Sequence, residues 1–309
     1  MKSMYKILLL SFLVCTMLGS CSQGSGYHKE VGMIWNTVYH VVYKGDPALS
    51  DSILPVLNEV GASLSVFDKS SLVSKLNLSE SVEADRHLII VYDEAKKISE
   101  MSQGKFDPTV SPLIDAWGFG IGHSPTIDTL AVDSLLTFVG IEKTRREGNR
   151  IVKDDSRTRF NFSAIAKGYG CDAVGEMFRR NGVTDYMVEI GGELALSGKS
   201  PSGGKWRIAI DSPQESSMPG ESTAKIIELT DCGVATSGNY RNFREEGGVK
   251  TAHTISPKTG RPIIGEILSA TVIAPTCMEA DAIATACMAG TREEAEQLLE
   301  VAGVEGYLQ

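Results

Sequence analysis

The chain has 309 residues, 42% hydrophobic and 22% charged, with a formal net charge of −9. This is ordinary globular composition with enough apolar content for a sizeable core. The acidic balance offers no basic stripe to neutralise phosphates, which argues against nucleic acid as a partner. In chain order, MKSMYK supplies two lysines, ILLLSFLVCTM is apolar but short for a membrane span, and LGSC follows. Leu18-Gly19-Ser20-Cys21 reads as a lipobox. Residues 1–20 are then a lipoprotein signal peptide and Cys21 carries the lipid; an ordinary signal peptide is the alternative. The expected product is an exported lipoprotein, membrane-anchored through Cys21 and facing the periplasm or cell exterior. Residues 21–31 form a polar tether and residues 32–309 a single domain.

The alternating stretch Val31 to Gly45 reads as β-structure. Asp51 to Leu64 has helical spacing, and Asp85 to Ser102 is a second helix with Gly104 as its stop. A short helix covers Val132 to Val139 and ends at Gly140, and Ala164 to Arg180 is helical with Gly182 after it. TDYMVEIGG, WRIAI, KIIEL and ILSATVIA read as strands, with SPQESSMPGEST a surface loop between the second and third. Met278 to Gly290 is a helix, and Thr291 to Glu294 is a capping-box start for the next. The pattern predicts one α+β domain. No closing strand is read before Gln309, so the C-terminus reads as incomplete. Cys171, Cys232, Cys277 and Cys287 lack C-x-x-C spacing and read as buried free thiols, a disulfide being the alternative.

Four stretches carry possible chemistry. In ADAIATA, Asp281 and Thr285 lie four apart on one helix face, an oxygen pair suited to Mg²⁺. The bland reading is a capping Asp and a Thr satisfied by a backbone carbonyl. In NFSAIAKGYG, Ser163 is a plausible N-cap, so Ala164 to Lys167 would open a helix whose free N–H groups attract anions, with Lys167 adding charge. A helix start packed on the sheet with Lys167 in solvent is the alternative. Gly168 and Gly170 would admit a close neighbour. In GKFDPTVSPLIDAWGFG, Phe106, Trp117 and Phe119 could line a flat-ring site or fill a buried cluster. The G-x-G there follows no strand and is no dinucleotide fingerprint. In HTISPKTGRP, His253 beside a glycine-bearing turn is a fair base. The other histidines lack metal-ligand spacing, and no G-x-S-x-G elbow occurs.

Seven segments in order resemble the FAD:protein FMN transferase family, the ApbE-type flavin transferases. They are LSVFDKSSLVSKLN, FDPTVSPLIDAWGFG, NFSAIAKGYGCDAVGEMF, VEIGGELALSG with PSGGKWRIAI, VATSGNYRNF, HTISPKTGRP and ADAIATA, running from about Met33 to the C-terminus. The resemblance implies a single mixed α/β domain that binds FAD as substrate and a divalent cation, normally Mg²⁺. It implies transfer of FMN to a Ser or Thr hydroxyl of a target protein, with release of AMP. Targets of the family are flavin-carrying subunits of membrane redox complexes of the quinone reductase or Rnf type. The family's metal ligands fall on the Ala164 carbonyl, Asp281 and Thr285. Its flavin and nucleotide contacts fall on Met33, Phe67, Phe106, Asp107, Asn161, Lys167 and the segment at His253, with His253 as general base. Asn161 stands where many members have Asp, Ser256 where Asp or Asn is usual, and Phe67 where Tyr or Trp is usual. Two other activities fit the same site: an FAD pyrophosphatase, with water as acceptor, and a flavin-binding lipoprotein without catalysis.

Overall fold

The alternating stretch forms a hairpin, β1 (Tyr27–Ile34) and β2 (Thr37–Lys44), closed by Trp35 and Asn36 at φ of 49° and 60°. Two positive φ values in a two-residue turn match the right-handed twist of the flanking strands. For a bulky Trp this backbone is uncommon. Its indole fills a slot floored by two glycines: a Cβ on Gly61 or Gly170 would lie 2.8 or 2.7 Å from the ring. The computed structural model describes residues 26–120, 129–213, 223–238, 243–246, 249–252, 254–263 and 265–309. The expected signal peptide and Cys21 lie outside these residues, as do residues 21–25 of the expected tether, most of the SPQESSMPGEST loop and His253; from Tyr27 onward the expected tether is instead part of β1, because its residues pair with β2.

After the hairpin come α1 (Ile53–Leu64), α2 (Leu72–Asn77), β3 (Ser81–Glu83) and α3 (Arg86–Met101). Asp85 caps α3, accepting the Leu88 N–H at 2.8 Å, and Gly104 at φ 77° turns the chain away, as expected for the stop. Then follow α4 (Ser111–Ala116), α5 (Thr129–Leu136), β4 (Thr144–Glu147), β5 (Arg150–Lys153) and α6 (Ala166–Arg180). Helix α5 lies about three residues earlier than the sequence places it, and its last expected residues form a turn. Strands β6 (Tyr186–Ile190), β7 (Glu193–Ser197), β8 (Trp206–Asp211), β9 (Thr223–Leu229) and β10 (Cys232–Gly238) are succeeded by β11 (Phe243–Glu246), β12 (Val249–Ala252) and β13 (Ser269–Ala274). The chain finishes with α7 (Cys277–Met288), α8 (Arg292–Ala302) and β14 (Glu305–Leu308). The capping box at Thr291 and Glu294 is formed as expected.

The main sheet is antiparallel, in the order β1-β2-β6-β7-β10-β13-β14. Strand β14 corrects the expectation of no closing strand. It pairs Glu305 to Leu308 with Ile273 to Ala270, a short partner whose register is set by β13 rather than by its own sequence. Side-chain alternation sorts the two faces. Tyr39, Val41, Tyr43, Val188 and Ile190 meet α1 and α6 on one face, and Ala235, Ala270 and Val272 meet α7 on the same side. Leu194, Leu196 and Val234 face the other way, where the β8–β9 hairpin covers them with Trp206, Ile208 and Ile227. The result is an α+β fold with helices on one face. Among the described residues, no helix is long and apolar enough to cross a membrane. The four expected thiols are free: Cys171, Cys277 and Cys287 are buried and Cys232 is half-buried.

Candidate active site

The N-terminus of α6 departs from its expected form. Ser163 is not the N-cap. Residues 163–165 form a separate turn, Ile165 is the N-cap without a side-chain bond, and the helix begins at Ala166. The cause is Asn161, whose Oδ1 accepts the Ser163 N–H at 2.9 Å and turns the chain one step early. The Phe162 carbonyl then takes the N–H groups of both Ile165 and Ala166, at 3.0 and 2.9 Å.

In a regular helix the Gly168 N–H would bond the Ala164 carbonyl four residues back. It donates to Asp281 Oδ2 instead, at 3.0 Å. The Ala164 carbonyl consequently receives no hydrogen bond from the described backbone. The expectation that free N–H groups of this helix face a ligand is thus altered, since the carboxylate of α7 takes one of them. The gesture is returned. Cys277 and Met278, at the start of α7, donate their N–H groups to Asp172 Oδ1 and Oδ2 at 3.0 and 2.8 Å. Gly168 to Asp172 and Cys277 to Asp281 are both steps of four, so one turn of each antiparallel helix is clasped at both ends. Each carboxylate sits where a helix start carries partial positive charge. Gly168 makes the approach possible: a Cβ there would collide with the Cys277 carbonyl and lie 2.9 Å from Asp281 Cβ.

Lys167 follows the turn and forms an ion pair with Glu193, the first residue of β7. The Glu193 side chain is 5% exposed and that of Lys167 is 35% exposed. Burial opposes the charge on Lys167, but Asp281 and Glu193 outweigh it and raise its pKa. Burial likewise pushes the carboxyls of Asp281 and Glu193 upward while Lys167 pulls both back. Burial raises the Asp172 carboxyl to about 6 against the pull of its two N–H donors.

Thr285 lies one turn beyond Asp281, half-buried, with Oγ1 3.2 Å from Ser237 Oγ on β10. Asp281, Thr285 and the free Ala164 carbonyl offer one carboxylate, one hydroxyl and one carbonyl. That set suits a hard divalent cation of the Mg²⁺ type, which keeps few protein ligands and completes its shell with water and phosphate oxygens. Among the described residues no cluster of three His, Cys, Asp or Glu could hold a metal. A site with a single carboxylate does not form such a cluster, and the Ala164 carbonyl left without a backbone donor is the feature that fits the ion.

The other expected site residues separate into two groups. Asn161 joins the FDP turn, its N–H donating to the Pro108 carbonyl at 2.7 Å, so segments 106–108 and 161–168 adjoin. Phe106 is buried in the main core. The Asp107 carboxylate is also buried and accepts three donors: Thr109 N–H and Oγ1 on Oδ1, at 2.7 and 2.6 Å, and Ile141 N–H on Oδ2, at 3.0 Å. Both are enclosed, and their side chains brace the turn. Met33 and Phe67 are exposed, at 66% and 67%. Met33 lies beside the β1–β2 turn, at the sheet end where Gly191 donates to the Val38 carbonyl and β7 begins with Glu193. Trp117 and Phe119 pack beneath the turn after residue 253, and the Trp117 indole donates to the Gly260 carbonyl at 2.7 Å. The three rings do not form one cluster: Phe106 lies in the main core, while Trp117 and Phe119 are half-buried against a separate group around Leu113 and Ile255. Two surface cavities of about 420 and 370 Å³ lie elsewhere, one lined by Lys225, Arg292 and Tyr307, the other by Pro112, Asp115 and Leu135.

Glu193, Asp172 and Ser237 were not singled out from the sequence. Glu193 had a readable signal, a charged residue at an inward position of the otherwise apolar strand ELALS. Asp172 is spaced four from Gly168, yet nothing local reveals that its partner is another helix start.

A family profile described as the ApbE family matches residues 35–308. An FAD:protein FMN transferase of Vibrio cholerae is 36% identical over 293 residues, covering 91% of this chain and 86% of that protein. One of Haemophilus influenzae is 32% identical over 320 residues, covering 97% and 91%. The solved flavin transferase ApbE from Vibrio cholerae superposes with a TM-score of 0.82 at 33% identity, covering 91% of this chain and 93% of that one.

Proposed function

The chain belongs to the ApbE family, and on that premise we propose that it is an FAD:protein FMN transferase. FAD is the substrate, the FMN moiety passes to a target protein and AMP is released. The bond that breaks joins the FMN phosphorus to the oxygen bridging the two phosphates. The bond that forms joins the same phosphorus to a Ser or Thr Oγ of the target, and AMP departs with the bridging oxygen.

Asp281, Thr285 and the Ala164 carbonyl would hold Mg²⁺. When bound it supplies Lewis-acid neutralisation of phosphate oxygens. The protein's own groups have distinct tasks. Lys167 donates to a phosphate oxygen and offsets charge on the diphosphate. A preorganised donor of this kind contributes about 3–4 kcal/mol to the transition state. Gly168 fixes Asp281, so one carboxylate oxygen is held and the other is left for the cation. Deprotonation of the target hydroxyl is assigned to His253 on the family resemblance. Met33 and Phe67, both exposed, would meet the flavin. Export and anchoring through Cys21 follow from the lipobox, and the target is a flavin-accepting subunit of a membrane redox complex.

The observation that carries the reading is the diverted Gly168 N–H, which anchors Asp281 and frees the Ala164 carbonyl in one step. The test is incubation with FAD, Mg²⁺ and a candidate target subunit, following AMP by chromatography and the target by mass spectrometry. Stoichiometric AMP with a flavin-sized mass increase on the target is expected, and Asp281→Asn abolishes both. FMN and AMP without a mass change would make water the acceptor. No AMP under any condition would leave binding alone.

A further inference from the structure

Glu193 is the described residue at this site whose arrangement the proposed chemistry leaves unexplained. Its carboxylate is almost fully buried, Oε1 pairs with Lys167, and Oε2 has no hydrogen-bond partner among the described residues. Burying a carboxylate is costly unless it is paired, so a buried Glu on an apolar strand needs a reason. Its backbone is well anchored: Glu193 pairs with Ile190 across the Gly191–Gly192 turn, and Cys171 Sγ–H donates to its carbonyl at 3.2 Å. Cys171 lies on α6, as Lys167 does. The strand and the helix that carry the ion pair are therefore tied together beside it.

Lys167 pairs with Glu193 and also lies in the field of Asp281, whose carboxylate accepts the N–H of the neighbouring Gly168. One ammonium resting against Asp281 would compete with any cation for its remaining oxygen. We propose that Glu193 is a positioning residue that holds the Lys167 ammonium away from Asp281, keeping an Asp281 oxygen free for a divalent cation. The inference rests on the proposed cation role of Asp281. Gly168, next to Lys167 in the chain, is bonded to Asp281, so with Glu193 removed Asp281 is the remaining carboxylate whose charge acts on the ammonium.

The test uses Mn²⁺ alone, without FAD, titrated into the full-length protein and followed by electron paramagnetic resonance or calorimetry. Residues behind metal ligands typically control affinity by about 10–100-fold. Glu193→Ala is expected to bind Mn²⁺ about tenfold or more weakly than wild type. Because Glu193 acts through Lys167, the double variant Glu193→Ala/Lys167→Met recovers the affinity of Lys167→Met alone, a non-additive cycle. Glu193→Gln keeps an acceptor for Lys167 without the charge and falls between wild type and Glu193→Ala. It also carries the test if the alanine variant does not fold, equality with wild type then overturning the inference. Thermal unfolding of each variant separates lost folding from lost binding. Equal affinity of wild type and Glu193→Ala overturns the inference alone. A loss that Lys167→Met does not recover also overturns it, because Glu193 would then act directly. No Mn²⁺ binding by wild type overturns the cation role of Asp281 and this inference with it.

Discussion

Asp172 shows how far a single side chain reaches. Its carboxylate closes the start of α7 while lying in α6, and burial lifts its pKa to about 6. The folded protein therefore holds this proton more tightly than the unfolded chain does. Its contribution to stability is full below the ordinary carboxyl range and is lost as pH rises through about 6. Asp172→Asn removes the titration. The unfolding free energy of wild type minus that of Asp172→Asn should fall between about pH 4 and about pH 6.5, then level off. Denaturant melts of both proteins across this range measure it, and a constant difference would refute the assignment. Residues of this sort are hard to read from sequence. Asp281 and Thr285 were legible because both lie on one helix at a spacing of four. Asp172 and Glu193 work through partners more than 20 residues away, so no local pattern encodes them. Asp107 illustrates the converse. The FDP turn stands out in the sequence, but whether its carboxylate faces inward or outward depends on Ile141, a neighbour that only the fold supplies.

Between helices α6 and α7 the controlling quantity is separation. Gly168→Ala brings two opposed effects. Alanine is the better helix former by about 1 kcal/mol. The added methyl, however, meets the Cys277 carbonyl, which is main chain and cannot rotate aside. The overpacking penalty, typically about 1–3 kcal/mol, should exceed the gain. Gly168→Ala should therefore have a lower melting midpoint than wild type and weaker Mn²⁺ binding, because the Asp281 carboxylate moves with α7. A melting midpoint at or above that of wild type would show that the helices can part without cost. Helices α6 and α7 were readable from apolar spacing and stop signals, with ends in error by one or two residues, whereas the short α2 and α4 were not read as helices. The start of α6 was missed for a physical reason. Ser163 has the right chemistry for a cap, but Asn161 captures its N–H first.

Over the whole molecule the sequence shows an α+β pattern but not the strand order, since pairs such as β2–β6 and β10–β13 join distant segments. Strand β14 is the clearest case: four residues including a glycine, identifiable only by the edge they cover. Deleting residues 305–309 would expose the apolar edge of β13, whose sequence SATVIA is prone to pairing with another chain. The truncated protein should melt several degrees lower and form larger species at high concentration, measured by thermal scans and size-exclusion chromatography. Unchanged melting and a single small species would show that β14 is dispensable. The paired carboxylates between α6 and α7 bear on the timing of motion as well. Neither helix start can open without releasing the other, so the floor of the site has no small fluctuation of its own. In native-state hydrogen exchange the amides of Gly168, Cys277 and Met278 should share one opening free energy, close to that of global unfolding. The part of the protein that would grip the cation would thus be among the last to let solvent in.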